Sequence, residues 1–525
     1  MSASPPSATR QIARAAGTVM VAQALGILTN LVSLSLNARA FGTQGEMDAF
    51  LAANRVSETL FVLMAGGALG SAFIPTFTSL LAKEQRSAAW KLASSIANLV
   101  LVFLTLAALL ATLFARPLVR YVLAPGFAGN PQLEGLTIRL LYIMLPSAVI
   151  FGLSGLVMGI LNSHQVFFLP ALTPAMYRLG MIFGVLVLAP RWGIYGLAWG
   201  VLLGSCLHLL SQIPSLLRLG GHYEPSLGLH LPAVRQVGLL MAPRVFGVAV
   251  VQLNFWVNTR LASQMVEGSV TGVAWGLTIM LMPQGIIAQS VAMAALPTLA
   301  AQFAQGKLDD LRNALAASLR GVLLLALPAS LGLILLRQPV VTLLLQYGKF
   351  DAYSTQLIAW ALLWYAAGLV GHCIVEVLSR SFYALHDTRT PVLVGSIAMG
   401  LNVLLSVMLS QWFAHIGWMP HGGLALANSL ATGLEASALL LLMRRRLGGL
   451  QGQRLLDGTL RSGLATLVMG LVLWGWGWLS HDAPAWIGAL GGALTGGLAY
   501  VLAIAALGVQ EARQVWRWLA RRFRS

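Results

Sequence analysis

Four arginines stand inside otherwise apolar runs of this sequence: Arg55, Arg178, Arg244 and Arg260. A guanidinium at membrane depth is costly unless it faces water or a partner, so each one is a candidate functional residue. Its planar fork of N–H groups suits phosphate and carboxylate oxygens. The four residues therefore predict an anion-binding site. Arg178 and Arg244 lie near the ends of their runs, and snorkelling of their side chains to the membrane surface is the alternative there.

Polar residues accompany two of these arginines at helical spacing. Glu58 follows Arg55 by three positions, so both side chains share one face of a helix. This spacing predicts a charged pair in the site, and a self-neutralising pair that only orients the helix is the alternative. Arg260 follows Asn254 and Asn258 on its own run, which predicts the wall of a water-filled cavity. Polar contacts between helices are the alternative for that stripe.

Three further residues are candidates for coupling to an ion. Glu376 follows His372 by four positions, which suits a proton relay, although a satisfied buried pair is the alternative. Asn402 and the stripe that contains Asn254 offer oxygen ligands for sodium. We therefore predict coupling to sodium, protons or the membrane potential, and no cofactor.

The composition argues against a water-soluble fold. Of the 525 residues, 58% are hydrophobic and 9% charged, and the mean hydropathy is +0.79, whereas soluble domains carry roughly a quarter charged residues.

Cys206 and Cys373 lie in apolar runs and predict buried thiols. The sequence contains no P-loop, zinc-protease or nucleophile-elbow motif, so we predict that the protein is not an enzyme. Its basic residues are scattered between apolar runs, which argues against nucleic acid as a partner.

The apolar runs predict an all-α integral membrane protein with about fourteen spans, since one span needs roughly 20 apolar residues. The runs cover residues 15-38, 48-80, 88-115, 135-161, 166-189, 193-217, 236-263, 268-303, 313-335, 355-385, 391-413, 422-443, 460-480 and 485-509. Pro283 and Pro297 predict a broken helix in the eighth run. Two six-helix lobes, 1-220 and 221-450, followed by two C-terminal helices in 451-525, are the predicted architecture.

The distribution of charge predicts the topology. With the N-terminus inside, 22 of the 33 Lys and Arg residues fall in cytoplasmic segments and seven on the opposite side. Because cytoplasmic loops retain positive charge, both termini are predicted to be cytoplasmic. The tail from Arg513 to Arg524 alternates arginine with aromatic residues, which predicts an amphipathic helix on anionic membrane lipids.

Two similar loops suggest an internal repeat. The loops GILNSHQVFFLP at 159–170 and FYALHDTRTP at 382–391 each join two runs through a polar turn that ends in proline. They follow the fourth and the tenth run, six apart. This spacing is typical of transporters built from repeated halves.

Several short motifs occur together in one order along the chain. They are ARAFG at 38–42 followed by Asp48-Ala49-Phe50, GALGSAFIP at 67–75, APGF at 124–127, GILN at 159–162, ALP at 295–297 before Phe303, LQYGKF at 345–350 and FYALHDTRTP at 382–391. With these motifs the chain resembles the MurJ (MviN) family of lipid II flippases, within the multidrug/oligosaccharidyl-lipid/polysaccharide exporter superfamily.

The resemblance implies two lobes around a central cationic cavity that opens alternately to either side of the membrane. The implied substrate is undecaprenyl pyrophosphate that carries the peptidoglycan disaccharide-pentapeptide, and helices thirteen and fourteen supply a groove for its lipid tail.

This chain departs from the family's cationic pattern at several positions. The first run has no charge between Ala15 and Ala38, where family members place arginines. Phe61 and Val62 occupy the family's double-arginine positions. Thr278 and Leu281 replace an Arg/Glu pair before Pro283. Asp48 is retained, and Arg55 falls near a position that is often basic.

The resemblance and the residues together predict a lipid II flippase of the bacterial cytoplasmic membrane that acts as a monomer. A flippase for another lipid-linked oligosaccharide, a multidrug or organic-cation antiporter of the same superfamily, and a non-transporting scaffold are the alternatives. The predicted substrate-binding residues are Arg55, Arg260, Asp48, Glu58, Asn258, Arg178 and Arg244. Asn254, Asn402 and Glu376 are the predicted ion-coupling residues.

Overall fold

The computed structural model describes residues 8–63 and 72–508, and within these ranges the chain forms helices and turns without a strand. Twelve of the described helices are long and apolar enough to cross a membrane, or up to thirteen if one bent pair is counted as a span. The all-α membrane class is thereby confirmed. The count of fourteen stays a prediction, because the second predicted run includes residues outside the described ranges.

Contacts divide the chain into two compact units. One comprises Met1–Val270 with Tyr347–Phe350, and the other comprises Thr271–Gln346 with Asp351–Ser525. Contacts therefore group residues 221–270 with the first six predicted spans. The boundaries of the predicted lobes stay a prediction.

The first unit is built of eleven helices in the described ranges. They are α1 (Ala8–Phe41), α2 (Gly45–Leu63), α3 (Ile74–Ala82), α4 (Arg86–Leu113), α5 (Ala115–Pro117), α6 (Pro131–Ser163), α7 (Phe168–Phe183), α8 (Ala189–Trp192), α9 (Ile194–Leu210), α10 (Ile213–Arg218) and α11 (Pro232–Ala262). Short π-helical segments, Leu118–Leu123 and Gly184–Leu188, continue α5 and α7.

Apolar side chains of α3, α4, α6 and α11 form one core of this unit. Phe77, Leu92, Leu104, Ile160 and Val237 are all at most 4% exposed within it. The opposite side of α4 is exposed from Leu101 to Phe114, with large apolar side chains at most positions. In a membrane protein such a surface contacts lipid.

The connector between α10 and α11 lies along the first turns of α4. Asn98 donates to the Glu224 carbonyl at 3.2 Å and to the Ser226 carbonyl at 2.9 Å, and it accepts from the Tyr223 hydroxyl at 2.6 Å. Ser94 accepts from the Glu224 backbone N–H at 3.1 Å. The polar stripe of α4 therefore satisfies backbone groups of an irregular segment, as buried polar groups require.

The second unit contains nine helices in the described ranges. They are α12 (Ser269–Gln284), α13 (Ser290–Ala304), α14 (Leu308–Leu345), α15 (Ala352–Ala367), α16 (Leu369–Ala384), α17 (Arg389–His415), α18 (His421–Arg446), α19 (Gly452–Leu479) and α20 (Gly492–Ala506). Leu336 of α14, Met469 and Leu473 of α19, and Tyr500 of α20 pack into one buried cluster.

The helix break predicted in the eighth run is a local change of helix type, and the helix continues through it. A π-helical segment, Gly285–Gln289, joins α12 to α13 directly after Pro283, and Ser269–Ala304 qualifies as one continuous span. Proline lacks the backbone N–H, and a π turn absorbs the missing hydrogen bond without ending the helix.

A sharper bend occurs where the sequence contains no proline. The axes of α15 and α16 differ by 49° at Gly368. A Cβ atom on Gly368 would lie 2.4 Å from Ser429 Oγ, so only glycine permits this approach. Ser429 donates to the Trp364 carbonyl at 2.6 Å, and Ser330 donates to the Ala366 carbonyl at 2.7 Å. Neighbouring helices thus satisfy the carbonyls freed at the bend.

The two loops that suggested a repeat end their helices in the same way. Gln165 and His386 both adopt positive φ, at 61° and 57°. Val166 N–H donates to the Leu161 carbonyl at 2.9 Å, and Asp387 N–H donates to the Phe382 carbonyl at 2.9 Å. Both are Schellman caps, in which a left-handed residue lets the chain close over the last helical turn. The same cap also ends α3 at Glu84 and α13 at Gly306, so the internal repeat stays a prediction.

Candidate functional site

A charged pair lies on α2 in the first unit. Arg55 Nη1 contacts Glu58 Oε2 at 3.0 Å, and Asn54 Nδ2 donates to Glu58 Oε1 at 3.0 Å. The side chains of Arg55 and Glu58 are 19% and 47% exposed. The predicted pairing over one helical turn is present, and at this point the two charges cancel.

Aromatic residues of α11 complete this part of the site. The Arg55 guanidinium carbon lies 5.2 Å from the centre of the Phe255 ring, in a cation–π contact. Trp256 Nε1 donates to Thr59 Oγ1 at 2.7 Å, and Thr59 donates to the Arg55 carbonyl at 2.7 Å. Sequence reasoning missed Thr59, Phe255 and Trp256. The only signal for the last two was the presence of aromatic residues inside the polar stripe of α11.

Three of the predicted residues of α11, Arg260, Asn258 and Asn254, have partners within the first unit. Arg260 is exposed and its Nη1 donates to the Tyr121 carbonyl. Asn258 Nδ2 donates to Asn254 Oδ1 at 3.3 Å, and both amides are buried. Because an α-helix rises 1.5 Å per residue, Arg260 lies about 7.5 Å along the axis of α11 from Phe255, the residue that contacts Arg55. Its substrate-binding role stays a prediction.

Asp48 positions the start of α2. Its Oδ2 accepts from the backbone N–H of Gly268 at 2.8 Å, and the side chain is buried. Glu267, which sequence reasoning missed, accepts from the backbone N–H of Gly45 at 2.5 Å. Two carboxylates therefore join the turn after α11 to the first turn of α2, where negative charge is favoured by the helix dipole.

The remaining two predicted arginines differ in their surroundings. The Arg178 guanidinium carbon lies 5.4 Å from the centre of the Tyr177 ring, and Nη1 is 3.5 Å from the sulfur of Met181. Tyr177 also lies beside Asn54 and Glu58, so it connects α7 with the charged pair. The Arg244 side chain is exposed on α11. Their roles in substrate binding stay predictions.

An aromatic cluster surrounds Phe61, one of the two positions where the resemblance implies arginines. The rings of Phe61 and Phe151 are 4.7 Å apart, and Phe151 lies 5.0 Å from Tyr177 and 5.3 Å from His208. The nitrogen Nδ1 of His208 is 2.6 Å from Ser154 Oγ. This region of the first unit is therefore packed with uncharged side chains.

The predicted ion-coupling residues of the second unit form separate contacts. Glu376 pairs with Arg380 at 2.5 Å, and His372 Nε2 lies 2.9 Å from Asn428 Oδ1. Asn402 is fully buried and its Oδ1 accepts from Ser406 at 3.0 Å. His372 and Glu376 thus have different partners, and the roles of Glu376 and Asn402 stay predictions.

Within the described ranges, no group of three or more His, Cys, Asp or Glu side chains is arranged to hold a metal ion.

An apolar groove of about 430 Å³ is lined by residues of α14 and α19 in the second unit. Its lining residues are Leu327, Ser330, Leu331, Ile334, Thr459, Leu460, Gly463, Leu464, Thr466 and Leu467. The three hydroxyls in this lining already donate to backbone carbonyls of Ala366, Leu455 and Ser462. The groove therefore offers hydrocarbon contacts and suits an alkyl or prenyl chain.

Helices that span a membrane many times, charged and amide side chains inside them, and an apolar groove define a multi-pass membrane transporter. The model of the family described as "Lipid II flippase MurJ" matches residues 37–486. The chain belongs to the MurJ lipid II flippase family, and the resemblance drawn from its motifs is confirmed.

Curated relatives and solved structures agree with this assignment. The lipid II flippase MurJ of Burkholderia cenocepacia is 31% identical over 439 residues, which cover 82% of this chain and 84% of the relative. The probable flippase of Vibrio cholerae is 28% identical over 431 residues, 80% of each chain. A MurJ structure in an inward closed conformation superposes with a TM-score of 0.79 at 25% identity, over 93% of this chain and 98% of that one. An inward-facing MATE multidrug transporter shares the fold, with a TM-score of 0.68 at 16% identity over 83% and 99% of the two chains.

Proposed function

We propose that this protein moves lipid II, an undecaprenyl-pyrophosphate-linked peptidoglycan precursor, from the inner to the outer leaflet of the bacterial cytoplasmic membrane by alternating access. Family membership supports the reaction class, and the groove between α14 and α19 supports the lipid-linked nature of the substrate. A prenyl chain is long and wholly apolar, so a groove whose hydroxyls are all satisfied internally binds it without leaving polar groups unpaired.

The groove provides the sharpest test of this proposal. Gly463 lines the groove, and a Cβ atom built on it meets nothing within 4 Å. Gly463→Leu therefore fills the groove from within and also improves helix propensity. We expect transport of lipid II to fall at least about tenfold, a loss that corresponds to about 1.4 kcal/mol.

Gly475→Leu is the matched control. Gly475 lies on the same helix, also has open space around its Cβ position, and is absent from the groove lining. The readouts are flipping of lipid II in proteoliposomes and growth of cells depleted of their own lipid II flippase. If the groove variant transports as well as the control at equal protein levels, the groove does not carry the lipid chain.

Coupling and topology form part of the same proposal. We infer that both termini are cytoplasmic, that the protein acts as a monomer, and that its basic tail contacts anionic lipids. Arg513 to Arg524 lie outside the described residues, so this inference about the tail rests on the sequence alone. The buried Asn402 with Ser406 supports an ion site in the second unit. Transport measured with and without sodium, and with the membrane potential collapsed, separates the possible driving forces.

A further inference from the structure

The charged pair on α2 presents little net charge to a ligand. Arg55 contacts the carboxylate of Glu58 and lies over the Phe255 ring, and only 19% of its side chain is exposed. Glu58 is 47% exposed, but the arginine beside it cancels its charge. The carboxylate of Glu58 would repel a pyrophosphate, and the guanidinium of Arg55 would repel an organic cation. The pair therefore matches neither of these charged groups and suits a neutral polar one.

The indole ring of Trp256 is held in a fixed orientation at Thr59, the residue that follows Glu58 on α2. Its Nε1 donates to Thr59 Oγ1 at 2.7 Å, and Thr59 in turn donates to the carbonyl of Arg55 at 2.7 Å. The ring is partly exposed. Because the hydrogen bonds fix the ring before any ligand arrives, little conformational entropy is lost on binding.

We propose that Trp256 and Glu58 form a subsite for one sugar ring of the glycan on the lipid-linked substrate. The face of a pyranose ring presents C–H bonds of slight positive charge, which are attracted to the negative face of an indole. A carboxylate has about four acceptor positions, and two of those on Glu58 are taken by Arg55 and Asn54. The remaining positions accept sugar hydroxyls. The inference rests on the proposed function and names the part of lipid II that the first unit binds.

The test compares two lipids that differ only in the sugar. Full-length protein in lipid nanodiscs is titrated with lipid II and with undecaprenyl pyrophosphate, and binding is followed by native mass spectrometry. We expect Trp256→Ala to weaken binding of lipid II about tenfold, a change worth about 1.4 kcal/mol. Binding of undecaprenyl pyrophosphate should stay within a factor of two. Trp256→Phe keeps an aromatic face and should retain most of the affinity for lipid II.

A tryptophan at the protein surface serves as the control. Trp192 is 53% exposed at the end of α8, and Trp192→Ala should bind both lipids like the wild type. Equal weakening of both lipids by Trp256→Ala, or no weakening of either, would overturn the sugar subsite. Wild-type protein that binds neither lipid would instead count against the proposed function itself. Retained binding of undecaprenyl pyrophosphate by Trp256→Ala shows that its loss of lipid II binding does not come from unfolding.

Discussion

Lys349 donates its backbone N–H to the carbonyl of Arg39 at 2.9 Å, and this bond joins two sequence motifs that lie about 300 residues apart. Gly42 and Gly348 flank the contact, with φ of 62° and 65°. A Cβ on Gly42 would lie 2.7 Å from the Lys349 carbonyl oxygen, and one on Gly348 would lie 2.5 Å from that of Arg39. Both glycines are therefore required where the motifs ARAFG and LQYGKF meet in the first unit.

We expect Gly348→Ala to lower the free energy of unfolding by about 2 kcal/mol, since it adds both backbone strain and a steric clash. Gly306→Ala is the control, because Gly306 has φ of 69° and open space around its Cβ position. Gly306→Ala should lower the free energy of unfolding only through backbone strain, by about 1 kcal/mol. Apparent melting temperatures in detergent measure the difference. Equal melting temperatures for the two variants would show that the contact with Arg39 is not tight.

The charged pair on α2 predicts non-additive effects of mutation. Arg55→Gln leaves Glu58 without its partner, and Glu58→Gln does the same to Arg55. Each single change should reduce transport at least about tenfold, because an uncompensated charge is left near the membrane interior. The double variant should recover to within about threefold of the wild type, since neutrality is restored and the amide oxygen of a glutamine at position 58 still accepts a sugar hydroxyl. A double variant as inactive as Arg55→Gln would instead support Arg55 as a ligand of the pyrophosphate.

Asp387 stabilises the first turn of α17 in a pH-dependent way. Burial raises the pKa of its carboxyl, but hydrogen bonds from the Thr390 backbone and hydroxyl and from Arg446 outweigh it, so the pKa lies below its ordinary value. A depressed pKa in the folded state means that stability is present above the ordinary value near 3.9 and is lost as pH falls through the lower one.

Asp387→Asn should therefore lower the melting temperature at pH 7, and its difference from the wild type should shrink as the pH falls below the ordinary carboxyl pKa and through the lower pKa of the folded state. Melting curves of both proteins between pH 3 and pH 7 test this expectation. A constant difference across the range would assign the effect to packing.

The predicted topology can be tested with reporter fusions. Fusions at Gln453 and at the C-terminus should report the cytoplasm, and a fusion between Gly126 and Glu134 should report the opposite side. The charge asymmetry of the loops is the physical reason. A C-terminus on the outside would contradict an even number of spans.

The basic tail should bind anionic lipid through charge. Replacing Arg517, Arg521, Arg522 and Arg524 by alanine removes four positive charges, each worth about 1 kcal/mol near an anionic surface. Sedimentation of the synthetic tail peptide with phosphatidylglycerol vesicles measures the loss, and neutral vesicles serve as control. Equal sedimentation of both peptides would remove the electrostatic interpretation.

The helices were predictable because an apolar run of span length reports directly on burial in hydrocarbon. The Schellman caps at Gln165 and His386 were foreshadowed by polar turns, although the left-handed residues themselves were not. The bend at Gly368 had no signal, since its cause is the distant Ser429 and not a local proline. For the same reason the partners of Arg55 in α11 were missed. Contacts across more than 190 residues leave no trace in local spacing.

The hydrogen bonds between the connector and α4 limit how far the chain between α10 and α11 can extend. Thirteen residues separate these helices, which in an unattached loop would allow a wide reach. Hydrogen bonds to Ser94 and Asn98 of α4 fix the connector as far as Ser226. At 1.5 Å per residue, Asn98 lies about 18 Å along the axis of α4 from the first residue of that helix. The unattached part of the connector before α11 is therefore only a few residues long. This short segment keeps the start of α11 close to α4.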